Sequence, residues 1–507
     1  MNASDAIDSV DPRSAVATPS AARPTTAEEV DAAVRAAVDA AGHLSAIGRD
    51  GRAALLDAIA AQLRAAAEPL VATCVRETGL GEDRVRSELE RTAVQLSFLG
   101  QVAREGSYLG LTVDHATVPP AGRTPDLRMM NVPIGPIGVF AASNFPFAFS
   151  VTGGDTASAL AAGCPVVVKG HSSHPQTSLD TFDAIQRALD ASGAPEGTVG
   201  IVFGRDAGIS LVDHPAIRAI GFTGSVAGGR ALARRAFERP DPIPFFGELG
   251  SVNAFVVSPE AARARAASIA AEVVASFTLG AGQFCTKPGL LFVPHGPDGD
   301  ALLAAARRAT AESVAGFSLN SAIYEDFQRV SREFDGSGSA TTVGRAASDD
   351  GFAVSSLLVE IEAADFGDRY VQECFGPLAI AVRYADAAQL AALLSRLPGA
   401  LVGTVHGEPD DELAREALAL LAPRCGRLVW NGVPTGVTVA WAMNHGGPWP
   451  AAHDAQHSSV GAASIGRWVR PLAWQDAPED AIPAELRDDF DALPRRIDGE
   501  LRLPARS

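Results

Sequence analysis

The arrangement of hydrophobic and polar positions divides the chain into a helical beginning and a longer part in which apolar runs alternate with helices. A capping-box pattern formed by Thr26 and Glu29 predicts the start of the first helix. Two more helical stretches are predicted, from Gly51 to about Glu77 and from about Glu82 to Glu105. We expect residues 1–24, which are rich in Ser, Ala and Pro, to be mobile, so that order begins near Thr26.

Extended segments follow the helices. Near Leu111 two extended runs joined by Pro-Pro-Ala-Gly predict a hairpin or a projecting two-stranded ribbon. From Ile137, apolar runs such as IGVFAA and PVVVK alternate with helical segments, which is typical of a parallel sheet covered on both faces. A second α/β half is predicted from Ser251 to about Gly447, and the strand candidate GRWVRPLAWQ lies apart from both sheets.

Length, composition and charge limit the classes of protein to consider. A chain of 507 residues corresponds to about two to four domains. Apolar residues make up 47%, which excludes bulk disorder, and the net charge of −18 argues against nucleic-acid or anionic membrane partners. No apolar stretch is long enough for a membrane span, and the N-terminus lacks the pattern of a secretory signal.

The chain has five widely spaced cysteines and no CxxC pair. This pattern argues against a disulfide framework and against a structural zinc site, and it favours a reducing, cytoplasmic location.

Several segments carry residues suited to catalysis or nucleotide binding, although each is weak alone. Asn144 follows a predicted strand, where its amide could face an oxyanion or simply occupy a turn. Lys169 ends a buried strand, which is where α/β sheets bind nucleotides. The alternative is an ordinary lysine at a strand end whose ammonium group reaches the solvent. Gly224 and Ser225, in GFTGSVAGGR, predict a phosphate-facing turn but do not form the GxGxxG fingerprint.

Two later segments contain a thiol and carboxylates. Glu248 lies in FGELGS and Cys285 in GAGQFCTKPG, where glycines keep the thiol accessible. A reactive thiol needs surroundings that favour the thiolate, and inert burial is the alternative for any single cysteine. Glu373 and Phe375, in QECFGP, place a carboxylate and an aromatic ring beside a Gly-Pro turn, unless this is an ordinary solvated loop.

The order of these motifs closely resembles the aldehyde dehydrogenase superfamily. The resemblance runs from about Thr26 to about Gln475, and its specific motifs are FTGS, ELGS, GQFCT and ECFGP. Further stretches, above all NGVPTGV and NHGGPWPA, resemble the branch that oxidises 2,5-dioxopentanoate, also called α-ketoglutaric semialdehyde. The alternative is a relative that kept the scaffold and changed the aldehyde.

The resemblance implies an α/β fold with three parts. A Rossmann-like cofactor domain would combine residues 25–115 with 134–250, and an α/β catalytic domain would span 251–447. A bridging ribbon at 116–133 would join a strand at 467–475 and mediate a homodimer or homotetramer, leaving 448–507 as a C-terminal segment. The assembly would explain the ribbon and the separate strand, since an unpaired strand needs a partner.

The resemblance also implies a mechanism. Cys285 would attack the aldehyde as a thiolate, and Asn144 with the backbone N–H of Cys285 would hold the oxyanion. Hydride transfer would leave a thioester, which water activated by Glu248 would cleave. No metal is required.

For the cofactor, the resemblance assigns Lys169 to the adenosine ribose, Gly224 and Ser225 to the pyrophosphate, Glu373 to the nicotinamide ribose, and Phe375 to packing near that ring.

Cofactor preference depends on the residues after Lys169. Many NAD-preferring relatives carry Glu three residues after this lysine, where the present chain has Ser172, flanked by His171. Without the carboxylate, a 2′-phosphate meets no like charge, so we expect NADP to be preferred over NAD. Ser172 as a merely neutral loop residue is the alternative.

The substrate is the least defined part of the prediction. A 2-oxo acid semialdehyde carries a carboxylate, so a basic or N–H-rich pocket is expected, but no arginine can be assigned to it. Phe147, Phe149 and Trp441 are candidates for the substrate tunnel or for the core. Competing functions are oxidation of a fatty or aromatic aldehyde, a CoA-acylating dehydrogenase, in which Glu248 would be superfluous, and a non-catalytic protein on the same fold.

Overall fold

The computed structural model describes residues 6–118, 122, 124–335 and 340–504. Its α-helices are α1 Ala27–Ala46, α2 Gly48–Ala65, α3 Ala67–Thr78, α4 Glu82–Glu105, α5 Gly154–Ala162, α6 Pro175–Ser192, α7 Arg205–Asp213, α8 Val226–Phe237, α9 Pro259–Thr278, α10 Pro297–Glu312, α11 Ser321–Asp335, α12 Ala387–Ser395 and α13 Glu412–Leu421.

The strands form four sheets. They are β1 Asp8–Asp11, β2 Val16–Pro19, β3 Thr112–Asp114, β4 Leu127–Pro133, β5 Ile137–Phe140, β6 Val166–Lys169, β7 Val199–Val202, β8 Ala219–Thr223, β9 Phe245–Glu248, β10 Asn253–Val257, β11 Pro288–Pro294, β12 Ala340–Val343, β13 Leu357–Glu362, β14 Leu378–Tyr384, β15 Ala400–His406, β16 Cys425–Trp430, β17 Val469–Gln475, β18 Arg495–Ile497 and β19 Glu500–Arg502.

The N-terminal segment differs from the prediction. Strands β1 and β2 pair as an antiparallel hairpin, with Asp8 opposite Pro19. The hairpin is fastened to the body of the protein through a hydrogen bond of 2.7 Å from the Phe352 N–H to the Pro12 carbonyl. The prediction that order begins near Thr26 is therefore wrong for residues 6–24, because backbone hydrogen bonds hold a segment that has no clear hydrophobic pattern. Residues 1–5 lie outside the described part.

The helical beginning agrees with the prediction in most respects. Thr26 forms the predicted capping box, because its side chain accepts from the Glu29 N–H while the Glu29 carboxylate accepts from the Thr26 N–H. The stretch predicted to continue to Glu77 is two helices, α2 and α3, separated at Ala66, where the backbone leaves the helical region. Within the described residues no single helix is long and apolar enough to cross a membrane. Helices α2 and α3 meet the length and composition only when they are taken together, and they are bent by 72° relative to each other.

The first large sheet has five parallel strands in the order β7-β6-β5-β8-β9. All four residues of β5 are buried, as the continuous apolar run predicted. The carboxyl ends of its strands carry Lys169 on β6 and lead into Gly224 and Ser225 after β8, where open α/β sheets bind ligands.

The second large sheet has seven strands in the order β12-β13-β14-β11-β10-β15-β16. It is parallel except for β12, which runs antiparallel to β13. The two sheets together confirm the predicted α/β architecture. β9 ends at Glu248 and β10 begins at Asn253, so a short connection brings the two sheets together.

A third sheet, in the order β17-β4-β3-β18-β19, projects the predicted ribbon. The tail strand β17 pairs antiparallel with β4 of the same chain, with Val469 opposite Pro133 and Gln475 opposite Leu127. The tip of the predicted hairpin, residues 119–121, lies outside the described part, and Thr117 bridges Thr124 just before it. The sequence analysis missed β18 and β19, each of only three residues.

Candidate active site

Two neighbouring cavities lie at the carboxyl ends of the five-stranded sheet. The first has a volume of about 410 Å³, and its lining includes Asn144, His171, Gly224, Ser225, Glu248, Cys285, Glu373 and Phe375. The second, of about 790 Å³, is lined by Lys169 and Ser172 together with Arg205, Arg234 and Glu238. Each predicted catalytic or cofactor residue therefore lines one of the two cavities.

Cys285 is held in place by the backbone on both sides of it. Residues 280–282, just before it, all have positive φ, and a Cβ on Gly282 would lie 2.3 Å from the backbone of Gly376. The Asn253 amide donates to the Cys285 carbonyl at 2.8 Å and to the Lys287 carbonyl at 2.9 Å. Burial, followed by the carboxylates of Glu248 and Glu373, raises the pKa of the Cys285 thiol well above its ordinary value. The free site therefore holds a neutral thiol that must lose its proton before it can attack.

Glu248 lies beside Cys285 in a buried hydrogen-bonded cluster. Its Oε1 is 2.9 Å from Nε2 of His445, and its Oε2 accepts a hydrogen bond of 2.6 Å from the Ser459 hydroxyl. The backbone N–H of Ser459 also donates to the His445 carbonyl at 2.8 Å. Burial alone would raise the pKa of Glu248, but His445, Ser459 and the thiol of Cys285 outweigh it and lower that pKa. The cluster thus keeps a buried carboxylate ionised.

The sequence analysis missed His445. Its Nε2 is 3.6 Å from Sγ of Cys285, although the two residues are 160 positions apart. The motif NHGGPWPA was noted for its resemblance, yet no residue within it was given a role; a histidine between an asparagine and two glycines was the available signal. Ligand atoms of Glu248, Cys285 and His445 all lie within 4.8 Å of one another, a spacing that a Zn²⁺ ion could bridge. A Zn²⁺ ion bound there would coordinate the thiolate and block its attack on an aldehyde.

Asn144 lies next to the loop that carries Cys285. One of its amide hydrogens donates to the Gln283 carbonyl at 3.0 Å. The backbone carbonyl of Asn144 accepts a hydrogen bond of 2.9 Å from Arg84. The Arg84 guanidinium in turn lies 4.7 Å from the ring centre of Phe284. These contacts fix the amide beside the thiol loop, as an oxyanion donor would require.

The residues between the two cavities fit a dinucleotide. Helix α8 begins directly after Ser225, whose hydroxyl accepts the Gly228 N–H at 3.2 Å, and the start of a helix favours phosphate. Gly224 lines the first cavity and Gly228 the second, so the helix start borders both. Burial raises the pKa of Glu373 to about 7, and a Cβ on Gly250 would lie 2.4 Å from the Glu373 carboxylate.

The second cavity carries positive charge and lacks a carboxylate at the expected place. Lys169 is half-buried, and burial lowers the pKa of its ammonium group. Ser172 is exposed at the cavity wall, with Arg205 and Arg234 also in the lining. His171 lines the first cavity instead, and burial, with the charges of His174 and Lys169, lowers its pKa well below the ordinary value.

The three aromatic candidates for the substrate tunnel occupy different places. Phe149 lines the first cavity, and its ring centre is 6.0 Å from that of His445. Phe147 is fully buried in the hydrophobic core, where its N–H donates to Glu88 at 2.9 Å, so its assignment to the tunnel is wrong. Trp441 is half exposed and packs edge-to-face against Phe98, and it does not line either cavity, so its place in a substrate tunnel stays a prediction.

Comparison with known proteins agrees with this geometry. Residues 1–452 match the model of the aldehyde dehydrogenase family. Alpha-ketoglutaric semialdehyde dehydrogenase 2 of Azospirillum brasilense is 42% identical, covering 93% of this chain and 91% of its own. Alpha-ketoglutaric semialdehyde dehydrogenase of Acinetobacter baylyi is 39% identical, covering 91% and 89%. The crystal structure of an NADP-dependent enzyme of E. coli superposes with a TM-score of 0.81 at 21% identity, covering 94% and 95%, which shows a shared fold.

Proposed function

Because this chain belongs to the aldehyde dehydrogenase family, we propose that it oxidises 2,5-dioxopentanoate to 2-oxoglutarate, with NADP or NAD as hydride acceptor and water as the second reactant. The two relatives that carry this activity in their names are 42% and 39% identical over nearly the whole chain, which supports the choice of substrate. The observation that carries the proposal is the buried cluster of Cys285, Glu248 and His445 at the wall of a cavity that also fits a nicotinamide nucleotide.

In the first step the thiol of Cys285 is deprotonated. Nε2 of His445, 3.6 Å from the sulfur, takes this proton, and the imidazolium that forms stays paired with the Glu248 carboxylate at 2.9 Å. The Sγ atom then bonds to the aldehyde carbon, and the carbonyl electron pair moves to oxygen. The Asn144 amide and the Cys285 N–H hold this oxyanion, each such donor contributing about 2.7–4 kcal/mol in comparable sites.

The bound nicotinamide supplies the acceptor for the hydride that leaves the tetrahedral carbon with its electron pair. A thioester on Cys285 remains. Glu248 takes a proton from water as the water oxygen bonds to the acyl carbon, and the carbon–sulfur bond breaks to release the product acid, which ionises, and the thiolate. The thiolate recovers the proton held by His445, and Glu248 passes its proton to the solvent. A positioned base contributes about 10²–10⁴-fold to such a step. Ser459 and His445 hold the Glu248 carboxylate in place for it.

NADP is the preferred cofactor in this proposal, with NAD as the second. Ser172 itself adds no like charge beside the adenosine ribose, and Lys169, Arg205 and Arg234 outnumber Glu238, the one carboxylate among the described residues that line the same cavity. A 2′-phosphate would meet these cations, whereas an NAD ribose gains little from them.

We also propose a role for each part of the chain. Residues 25–115 and 134–250 bind the cofactor, 251–447 supply the nucleophile, 116–133 and 467–475 bridge subunits, and 448–507 complete the C-terminus. The cysteines at all five positions are free thiols, which supports a reducing cytoplasm.

Two open sheet edges support a homodimer or homotetramer. Strand β17 is the edge of the third sheet, and β16 is the edge of the seven-stranded sheet, with Leu428 and Trp430 exposed. Light scattering of Leu428→Lys should give a lower mass than that of the unmodified protein. The control Val343→Lys changes an equally exposed apolar residue at the opposite edge of the same sheet and should leave the mass unchanged. Equal masses for all three proteins would contradict assembly through β16.

The proposed reaction is tested by a matrix of aldehydes and cofactors. We expect kcat/KM for 2,5-dioxopentanoate with NADP to exceed the values for hexanal and benzaldehyde by at least tenfold. A preference for hexanal or benzaldehyde would assign a different aldehyde on the same scaffold. Product formation that requires CoA would indicate an acylating enzyme. The absence of turnover with every aldehyde tested would indicate a non-catalytic protein on the same fold.

A further inference from the structure

Two partly buried arginines lie near Cys285. Arg91 on α4 and Arg427 on β16 form no ion pair with a carboxylate within the described ranges, and both of their charges interact with Cys285. Burial lowers the pKa of each guanidinium, which expresses the cost of removing these charges from water. Both positive charges are therefore close enough to Cys285 to interact with it.

The two arginines lie on either side of one short loop. Arg91 donates through Nε and Nη2 to the Val437 carbonyl, at 3.2 and 2.9 Å. Arg427 donates to the Gly436 carbonyl at 3.1 Å and to the Pro434 carbonyl at 2.5 Å. Because Gly436 and Val437 are consecutive, the two guanidinium groups are anchored to the same short loop.

Backbone carbonyls satisfy hydrogen bonds but do not neutralise charge. Nε of Arg427 is buried without a hydrogen-bond partner, so this group retains an unused donor. Arg91 also interacts with the carboxyl group of Glu88; burial raises the pKa of that group, and its Oε1 accepts the backbone N–H groups of Phe147 and Ala148. Arg427 thus keeps one hydrogen-bond donor for a further acceptor.

Phe149 connects the pair to the reacting atoms. The Arg91 guanidinium lies 5.7 Å from the ring centre of Phe149, and Phe149 lines the cavity that contains Cys285. A short chain with its aldehyde at Cys285 would pass this ring and bring its far end to the arginines.

We propose that Arg91 and Arg427 form a subsite for the carboxylate of the aldehyde substrate, selecting short acid semialdehydes over uncharged aldehydes. This inference rests on the proposed aldehyde oxidation and names the residues that recognise the substrate's charge. Arginine suits the task because its planar fork matches a carboxylate.

The kinetic test compares the ratio of kcat/KM for 2,5-dioxopentanoate to that for pentanal. Arg91→Met and Arg427→Met should each lower this ratio by about tenfold or more, the size expected for a hydrogen bond to a charged group. The matched control is Arg424→Met, because Arg424 also donates to two backbone carbonyls, those of Leu420 and Ser395, without an interaction with Cys285. An unchanged ratio in both subsite variants would overturn the proposal.

A binding test on the unmodified protein separates this proposal from the proposed reaction, because it depends neither on turnover nor on the folding of a variant. Calorimetry on the unmodified protein should show that glutarate binds at least tenfold more tightly than its uncharged diamide, glutaramide. Equal affinities would overturn the arginine subsite even in an active enzyme. If glutarate binds selectively but no aldehyde is turned over, the subsite stands and the proposed oxidation fails.

Discussion

Replacing Ser172 by Glu tests the basis of cofactor preference. Ser172 is exposed on the wall of the second cavity, which Lys169 and Gly170 also line. A glutamate here would place a carboxylate near the adenosine ribose, where it can accept a hydrogen bond from the 2′-hydroxyl of NAD. The same carboxylate would repel the 2′-phosphate of NADP, so the preference for NADP should fall.

The size of the effect follows from the exposure of the site. Two like charges about 4 Å apart repel by roughly 1 kcal/mol in water and about 4 kcal/mol near a protein surface. Because Ser172 is exposed, the lower half of this range applies, and about 1.4 kcal/mol corresponds to tenfold. We therefore expect the ratio of kcat/KM with NADP to kcat/KM with NAD to fall by about tenfold, mostly through KM, since the nicotinamide end of the site is untouched.

The assay measures initial rates with both cofactors at saturating aldehyde. Ser192→Glu is the control, because it adds the same charge at the exposed end of α6, away from the cavity lining. It should leave the ratio as it is in the unmodified enzyme. A Ser172→Glu enzyme with an unchanged ratio would show that this side chain does not face the ribose, and the preference for NADP would then have no support.

Four further predictions concern the catalytic cluster and its acidic neighbour. Cys285→Ala should abolish NADPH formation, whereas Cys164→Ala should change kcat little; measurable turnover by Cys285→Ala would exclude it as the nucleophile. Glu248→Gln should give one rapid turnover in stopped-flow absorbance and then stall, with steady turnover about 10²–10⁴-fold slower, and steady turnover at the normal rate would remove its role as base. His445→Gln should raise the pKa of Glu248, because it removes the partner that stabilises the carboxylate, so the acidic limb of the kcat–pH profile should move to higher pH; an unmoved limb would show that His445 does not tune Glu248. Glu373, with its pKa raised to about 7, should become negatively charged above that pH and then accept hydrogen bonds from ribose hydroxyls more strongly. The Kd for the cofactor should therefore fall as the pH rises through 7, and this trend should vanish in Glu373→Gln.

Much of the site could be predicted because its residues lie in short motifs at the ends of strands. Lys169 ends β6, and Glu248 ends β9, so a correct assignment of strands already places both at one edge of the parallel sheet. Cys285 and Glu373 come from loops, and only the resemblance to a known family connected them with that edge.

The residues that were missed or misplaced depend on long-range packing. His445 meets Cys285 across 160 positions, and although a histidine between an asparagine and two glycines marks a candidate, that pattern does not indicate which residue it contacts. Phe147 and Phe149 lie two positions apart in a turn, where no regular alternation tells which ring faces the core and which the cavity. Arg91 lies within an ordinary amphipathic helix, and only the folded chain shows that it and Arg427 hydrogen-bond the same loop, residues 434–437.

The most direct test of the account is the chemical state of Cys285 during turnover. Glu248→Gln is mixed with NADP and 2,5-dioxopentanoate, quenched in acid within the first turnover, digested and examined by mass spectrometry. We expect a thioester of 2-oxoglutarate on the peptide that contains Cys285, formed in proportion to NADPH and absent when the cofactor is omitted. NADPH formation without an adduct at Cys285, or with the adduct on another cysteine, would contradict the proposed mechanism.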